Sequence, residues 1–158
     1  MEKIKEILEN LETKNNIKII YAVEAGSRAW GLDSIDSDFD IRFIYVNRKS
    51  QSYVSLKVIK ETIDGFSEDR VYDWQGWDIT KTLRLIHAMN PTIVEWLYSP
   101  IVYKNESESS FPEHARKLVE EQKRILPLLY HYKSMAKSNY KAHIENKPKV
   151  IIYIYFVL

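Results

Sequence analysis

Two strand-length segments joined by a short, turn-rich stretch constrain the fold of this chain more than any other feature. Residues 17–23 form a β-branched run, and residues 38–46 begin with polar and apolar residues in strict alternation. Between them, residues 28–31 are too few for more than one helical turn, and residues 32–37 have the composition of turns. We therefore expect two adjacent strands of one sheet with a tight connection between them.

The remaining segments predict a mixture of strands and helices, followed by helices alone. An amphipathic helix is expected over residues 3–14 and a third strand over residues 71–77. Residues 60–70 are expected to form a polar loop with a turn near Gly65. Further helices are predicted over residues 79–89, over residues 91–98, and from Pro112 onward with breaks near Pro127 and Pro148.

Together these segments predict an α/β (α+β) fold, in which helices flank a small, mixed and twisted sheet. The core that contains the sheet is expected over residues 1–105, and residues 106–158 are expected to form a helical part of the same compact unit. Of the 158 residues, 45% are hydrophobic and 28% are charged, which is typical of an ordinary globular domain.

The composition also excludes several classes of protein. Cysteine is absent, which excludes a disulfide framework, a thiolate metal site and a cysteine nucleophile. The longest apolar stretch, residues 150–158, is much shorter than the roughly 20 residues of a membrane span, and the N-terminus lacks an apolar signal core. We therefore expect a cytoplasmic protein with no membrane partner.

The charged residues are balanced in number but separated along the chain. The net charge of +1 argues against a protein that binds nucleic acid over its whole surface. However, residues 33–40 contain four aspartates and no base, whereas residues 130–149 contain five lysines and one acid. This separation suggests a cation site and an anion site, although surface charges that merely cancel would give the same pattern.

Asp38 and Asp40 are the candidate metal ligands. Because side chains alternate along a strand, both carboxylates lie on one face together with Arg42. Two carboxylates this close repel each other, so a cation must compensate them, either Arg42 or a divalent ion such as Mg²⁺. Asp33 and Asp36, by contrast, are expected to cap turns.

Gly26 and Ser27 are the candidate phosphate-binding residues. Only four glycines occur in the chain, and Gly26 stands where a strand gives way to a short helical turn. Backbone N–H groups at such a turn can bind phosphate, and the Ser27 hydroxyl adds a donor. Ten residues separate Ser27 from Asp38, so two adjacent strands would bring both features to one site.

This spacing of Gly-Ser and Asp-x-Asp resembles the signature of the DNA polymerase beta nucleotidyltransferase superfamily. The wider segments over residues 24–31 and 37–46 are similar to its RNA-repair-associated, RlaP-like branch of predicted nucleotidyltransferases. The resemblance also includes residues 76–79, 90–91, 95–103 and 131–139. It therefore covers nearly the whole chain, which we expect to be a C-terminally shortened form, because relatives usually continue beyond the position of Leu158.

The resemblance implies transfer of a nucleoside monophosphate from an NTP, such as ATP, to an acceptor, with Mg²⁺ or Mn²⁺ as cofactor. The acceptor could be an RNA end, a protein hydroxyl or a small molecule. A third carboxylate on a later strand is also implied. Asp73 is favoured because it lies inside the predicted third strand, while its competitor Asp78 is explained by capping the helix that follows.

In this interpretation each candidate residue has a role. Asp38, Asp40 and Asp73 hold the ion, Asp73 also accepts the proton of the nucleophile, Gly26 and Ser27 bind the phosphates, and Arg28 with Lys133 or Lys137 neutralises the leaving pyrophosphate. The two lysines lie on one face of a predicted helix, as an ordinary solvated lysine face also would. Two alternatives remain, namely a non-catalytic nucleotide-binding or RNA-binding module, and an interaction protein that uses the apolar residues 150–158.

Overall fold

The computed structural model describes residues 1–34, 36–49, 51–54, 60–106, 110–122 and 124–143. Its strands are β1 (Ile17–Glu24), β2 (Phe39–Asn47), β3 (Thr62–Phe66), β4 (Tyr72–Asp78) and β5 (Val102–Asn105). Its helices are α1 (Glu2–Asn15), α2 (Gly26–Ala29), α3 (Gln51–Val54), α4 (Ile79–His87), α5 (Pro91–Leu97), α6 (Phe111–Glu121) and α7 (Leu126–His143).

The five strands form one sheet in the order β3-β4-β2-β1-β5. β2 and β4 are parallel, whereas the other neighbouring strands are antiparallel. The first two predicted strands, β1 and β2, are neighbours as expected. The predicted α/β class, with a small mixed sheet, flanking helices and further helices toward the C-terminus, is confirmed.

An apolar cluster lies on each face of the sheet. On one face, α1 packs with Ile41 and Phe43 of β2. On the other face, α4, α5 and α6 form a cluster with Ile44 of the same strand. Because side chains alternate along a strand, Asp40 and Arg42 lie on the face opposite to Ile41 and Phe43, as predicted.

Two edges of the sheet differ from the sequence prediction. The loop predicted over residues 60–70 is wrong in part, because β3 lies within it and Gly65 pairs with Trp74 of β4. Asp64 followed by Gly65 is typical of a turn in isolation, but pairing with a strand distant in sequence overrides that local preference. β5, which the sequence analysis did not identify, pairs with β1 at the opposite edge.

The C-terminal helices begin near the positions expected. α6 adds Ala115 and Val119 to the cluster formed with α4 and α5, and α7 begins at Leu126, one residue before Pro127. The predicted break near Pro148 and the apolar residues 150–158 lie outside the described residues, and the predicted boundary at residue 105 stays a prediction. In the described part of the chain, no helix has both the length and the hydropathy that a bilayer span requires.

Candidate functional site

Two of the predicted carboxylates meet on neighbouring strands. Asp40 of β2 and Asp73 of β4 are register partners across the parallel pair, so their side chains leave the same face of the sheet. Arg42 Nη2 donates to Asp40 Oδ1 at 2.7 Å and to Asp73 Oδ2 at 2.8 Å. One cationic nitrogen therefore balances both carboxylates, which is the compensation that their proximity requires.

Gly26 lies directly against this pair of carboxylates. Its φ is +61°, and a Cβ added to it would be 2.0 Å from Asp40 Oδ2. The N–H of the preceding residue, Ala25, donates to the carbonyl of Asp40 at 2.8 Å. Gly26 was predicted to bind phosphate through the backbone of this turn, and in the structure the space of its missing side chain is filled by the Asp40 carboxylate.

The short helical turn after β1 offers backbone donors beside Asp40. α2 begins at Gly26, and no side chain caps it among the described residues. The first N–H groups of a helix have no acceptor within the helix, so those of this turn are available to an anion. Ser27 is half-buried in the same turn. The turn and the carboxylate pair thus form one site at the beginning of β2.

Arg28 contacts the loop that precedes β2. Its Nε donates to the carbonyl oxygens of Ser37 and Asp38 at 3.2 and 3.1 Å, and its Nη2 donates to Ser37 at 2.5 Å. Its Nη1 forms an ion pair with Asp33 at 3.4 Å. The guanidinium also lies 4.1 Å from the centre of the Phe39 ring. These bonds hold the backbone of the loop in which Asp38 stands.

Asp38 stands apart from the other two predicted carboxylates. Its side chain is exposed, and no hydrogen bond or ion pair of its carboxylate is found among the described residues. Over the ranges that the structure describes, no group of three or more His, Cys, Asp or Glu side chains is arranged to hold a metal ion. The structure therefore joins Asp40 with Asp73 but leaves Asp38 at the rim of the site.

Asp78, the competitor for the third position, lies at the other end of β4. It is five residues beyond Asp73, roughly 16 Å at the usual rise of a strand. Its buried carboxylate caps α4 by accepting from Thr80 N at 2.8 Å, and it also accepts from Tyr53 and Asn47 at 2.8 and 3.0 Å. The predicted cap is confirmed, and the placement favours Asp73 as the neighbour of Asp40.

Lys133 and Lys137 are exposed on α7. A described contact of this helix joins the hydroxyl of Tyr132 to Glu95 of α5 at 2.9 Å. Among the described residues, no hydrogen bond or ion pair links either lysine to Gly26 or to the carboxylates of the sheet. Their predicted contact with the pyrophosphate stays a prediction.

Glu24, the last residue of β1, is a site residue that the sequence analysis missed. Its side chain is fully buried, and its Oε1 accepts from the N–H of Asp40 at 2.7 Å. Its Oε2 accepts from the hydroxyl of Tyr103. Burial raises the pKa of Glu24, and these two hydrogen bonds oppose that increase. The one signal in the sequence was an acidic residue at the end of a mainly apolar strand.

Two comparisons with known proteins identify the family of this chain. Residues 1–158 match a profile described as the RNA repair pathway DNA polymerase beta family, RlaP. The chain is also 40% identical over 157 residues to the uncharacterized protein YcgL of Bacillus subtilis (strain 168), and the match covers 99% of this chain and 59% of that protein. The predicted resemblance is confirmed, and this chain belongs to the RNA repair pathway DNA polymerase beta family.

Proposed function

We propose that the protein is a Mg²⁺-dependent nucleotidyltransferase that moves a nucleoside monophosphate from an NTP to an acceptor. The observation that carries the proposal is the pair formed by Asp40 and Asp73, held by one cationic nitrogen beside an uncapped helical turn. An anion-binding turn next to paired carboxylates suits a phosphate ester that reacts together with a metal ion. Membership of a polymerase beta family supports the same class of reaction.

The site supplies carboxylate oxygens, which can bind a divalent cation, and two of its carboxylates already lie close together. Asp40 and Asp73 each point an oxygen at Arg42 Nη2, at 2.7 and 2.8 Å, so a single cation can already contact both. Asp40 and Asp73 would hold Mg²⁺ in place of Arg42, because carboxylate oxygens are ligands that this ion accepts. Asp38 has an exposed carboxylate without a described partner and would complete the set. A bound ion would stabilise charge on the reacting phosphate.

The side chains and backbone of this protein would then bind the substrates and move a proton. The N–H groups at the start of α2 and the hydroxyl of Ser27 would bind the phosphates of the NTP. Asp73 is 46% exposed, so it can reach the hydroxyl of an acceptor and accept its proton. The observed bonds of Arg28 favour a role in holding the loop over contact with pyrophosphate. Lys133 and Lys137 remain candidates for that contact.

The geometry of the site does not by itself identify the acceptor. An RNA end, a protein hydroxyl and a small molecule all supply the oxygen nucleophile that the reaction needs. The family is described as belonging to an RNA repair pathway, which makes an RNA end the first acceptor to test. The chain spans 59% of the length of its Bacillus subtilis relative.

Labelled NTPs, Mg²⁺ and a panel of RNA ends, proteins and small molecules would test the proposal. We expect transfer of label that stops with EDTA and in the double variant of Asp40→Asn with Asp73→Asn. Asp64→Asn, which changes an exposed carboxylate of β3, is the matched control and should keep the wild-type rate. Transfer that is equally fast in the double variant would refute the assignment of the site.

A non-catalytic nucleotide-binding module is the second candidate. The observation that favours it is the two-carboxylate site itself, since in the described part of the chain no third ligand stands beside Asp40 and Asp73. This candidate predicts saturable NTP binding without transfer to any member of the panel. Label on an acceptor, dependent on Mg²⁺, excludes it.

A further inference from the structure

Glu24 is fully buried beneath the site, and burial of a carboxylate is energetically unfavourable. Taking a charged carboxylate out of water is unfavourable unless hydrogen bonds compensate it. Here both oxygens are bound, one by the N–H of Asp40 at 2.7 Å and the other by the hydroxyl of Tyr103. The residue is therefore satisfied, and its two partners lie on β2 and β5, the two strands that flank β1.

The Glu24 side chain supplies an acceptor for a backbone N–H, that of Asp40, which has no acceptor in the pairing of β1 with β2. The pairing of β1 with β2 ends at Glu24 and Ile41, so the N–H of Asp40 lies just beyond the backbone ladder. The Glu24 side chain takes up this N–H, while Ala25 N donates to the Asp40 carbonyl at 2.8 Å. Both backbone polar groups of Asp40 are thus fixed by the two residues that immediately precede Gly26.

The main chain of Glu24 is fixed as firmly as its side chain. Its N–H donates to the carbonyl of Ile101 at 3.0 Å, and its carbonyl accepts from the buried hydroxyl of Ser99 at 2.6 Å. Because the main chain of Glu24 is held by these bonds, the position of its carboxylate is also fixed. That carboxylate accepts from the N–H of Asp40 and therefore helps to fix the backbone of Asp40.

We infer that Glu24 is a positioning residue, which holds Asp40 at the distance from the turn at Gly26 that joint binding of metal and phosphate requires. This inference rests on the proposed function, because it assigns to Asp40 the role of metal ligand. Glu24 itself touches neither substrate nor ion. Its effect depends on the reach of the side chain from β1 to the Asp40 N–H.

Two conservative substitutions of Glu24 distinguish the effect of its side-chain length from the effect of its charge. Glu24→Gln keeps the length of the side chain and an oxygen for the Asp40 N–H but removes the charge. Glu24→Asp keeps the charge but is one methylene shorter and falls short of the same N–H. We expect Glu24→Gln to bind Mn²⁺ within threefold of the wild type and Glu24→Asp to bind it at least tenfold more weakly. The reverse order, or equal affinities in both variants, would overturn the inference.

A matched control is available at a second pair of carboxylate and phenol. Glu95 accepts from the hydroxyl of Tyr132 at 2.9 Å and lies on α5, outside the site. Glu95→Asp and Glu95→Gln should leave Mn²⁺ affinity unchanged. A tenfold loss in Glu95→Asp would show that shortening a hydrogen-bonded glutamate acts through general stability, which would also overturn the inference.

Hydrogen exchange of the Asp40 amide tests the positioning without a metal. We expect slow exchange in the wild type and Glu24→Gln, and at least tenfold faster exchange in Glu24→Asp. Exchange that is equally slow in all three overturns the inference. If Glu24→Asp does not fold, Tyr103→Phe replaces it, with at least threefold faster exchange expected and no change overturning the inference. Wild-type protein that binds no Mn²⁺ refutes the proposed function, while the exchange result still decides whether Glu24 positions Asp40.

Discussion

Replacing Gly26 by alanine should damage both the stability and the metal affinity of this protein, and Gly31 provides the control. Both glycines have a left-handed backbone, with φ of +61° and +66°. An alanine in this conformation costs roughly 1–2 kcal/mol. The lower entropy of the unfolded chain affects both variants alike. Any further difference between them therefore comes from what the new Cβ meets.

The two positions differ sharply in that respect. A Cβ at Gly26 would stand 2.0 Å from Asp40 Oδ2, whereas a Cβ at Gly31 meets no atom within 4 Å. The Asp40 carboxylate must therefore move in Gly26→Ala, and we expect it to lose its ion pair with Arg42, at 2.7 Å. The side chains of Arg42 and Asp40 are 16% and 30% exposed, so this loss adds about 1 kcal/mol or less. We expect a loss of about 1–2 kcal/mol for Gly31→Ala and up to about 1 kcal/mol more, about 1–3 kcal/mol in total, for Gly26→Ala.

Urea unfolding and Mn²⁺ titration measure the two effects separately. The free energy of unfolding should fall further in Gly26→Ala than in Gly31→Ala. In the folded protein, displacement of Asp40 should weaken Mn²⁺ binding at least tenfold in Gly26→Ala alone, which corresponds to about 1.4 kcal/mol. Equal stability of the two variants together with unchanged Mn²⁺ affinity would refute the claim that Gly26 makes room for the carboxylate.

Three further predictions concern Arg28 beside the site, Asp78 at the other end of β4, and the distant pair formed by Tyr132 and Glu95. Arg28→Lys keeps the charge but loses the planar set of donors that binds the carbonyl oxygens of Ser37 and Asp38. We therefore expect weaker Mn²⁺ binding, although no proposed metal ligand is changed. Unchanged Mn²⁺ affinity would show that Arg28 is not needed to hold the loop. If Asp78 only capped the helix, Asp78→Asn would leave stability almost unchanged. However, this carboxylate accepts four hydrogen bonds, and the NH₂ group of an asparagine would point at donors instead of accepting from them. We therefore expect a loss of about 1–3 kcal/mol in urea unfolding with Mn²⁺ affinity retained, and a coordinated ion at Asp78 would contradict this. Burial and the bond to Glu95 raise the pKa of Tyr132 to about 12, above its ordinary value near 10, so its contribution to stability is complete below about pH 10 and is lost between about pH 10 and 12. Urea midpoints across that range should fall less steeply in Tyr132→Phe than in the wild type, and parallel curves would count against the raised pKa.

Features that depend on neighbouring residues in the sequence were predictable. Alternation along residues 38–46 correctly placed Asp40 and Arg42 on one face, because strand geometry alone fixes which side chains share a face. The cap by Asp78 was likewise predictable, since a carboxylate before a helix satisfies its free N–H groups. In both cases the physical cause lies within a few residues of the feature.

Features that depend on pairing across the sheet were not predictable in the same way. Gly65 follows an aspartate and resembles a turn, but β4 pairs with it and makes it part of a strand. The role of Glu24 depends on Asp40 and Tyr103, which are 16 and 79 residues away in sequence. Such contacts exist only once the order of strands is fixed, and the sequence pattern alone did not determine that order.

A crystal structure of this chain with Mn²⁺ and an NTP would show whether Asp40 and Asp73 hold a metal ion beside the phosphates. We expect an anomalous peak for an ion bound by Asp40 and Asp73, with Arg42 moved away and Asp38 turned toward the ion. The phosphates should lie against the N–H groups at Gly26 and Ser27. A cation bound at Asp78, or phosphates bound away from the turn at Gly26, would refute the proposed site.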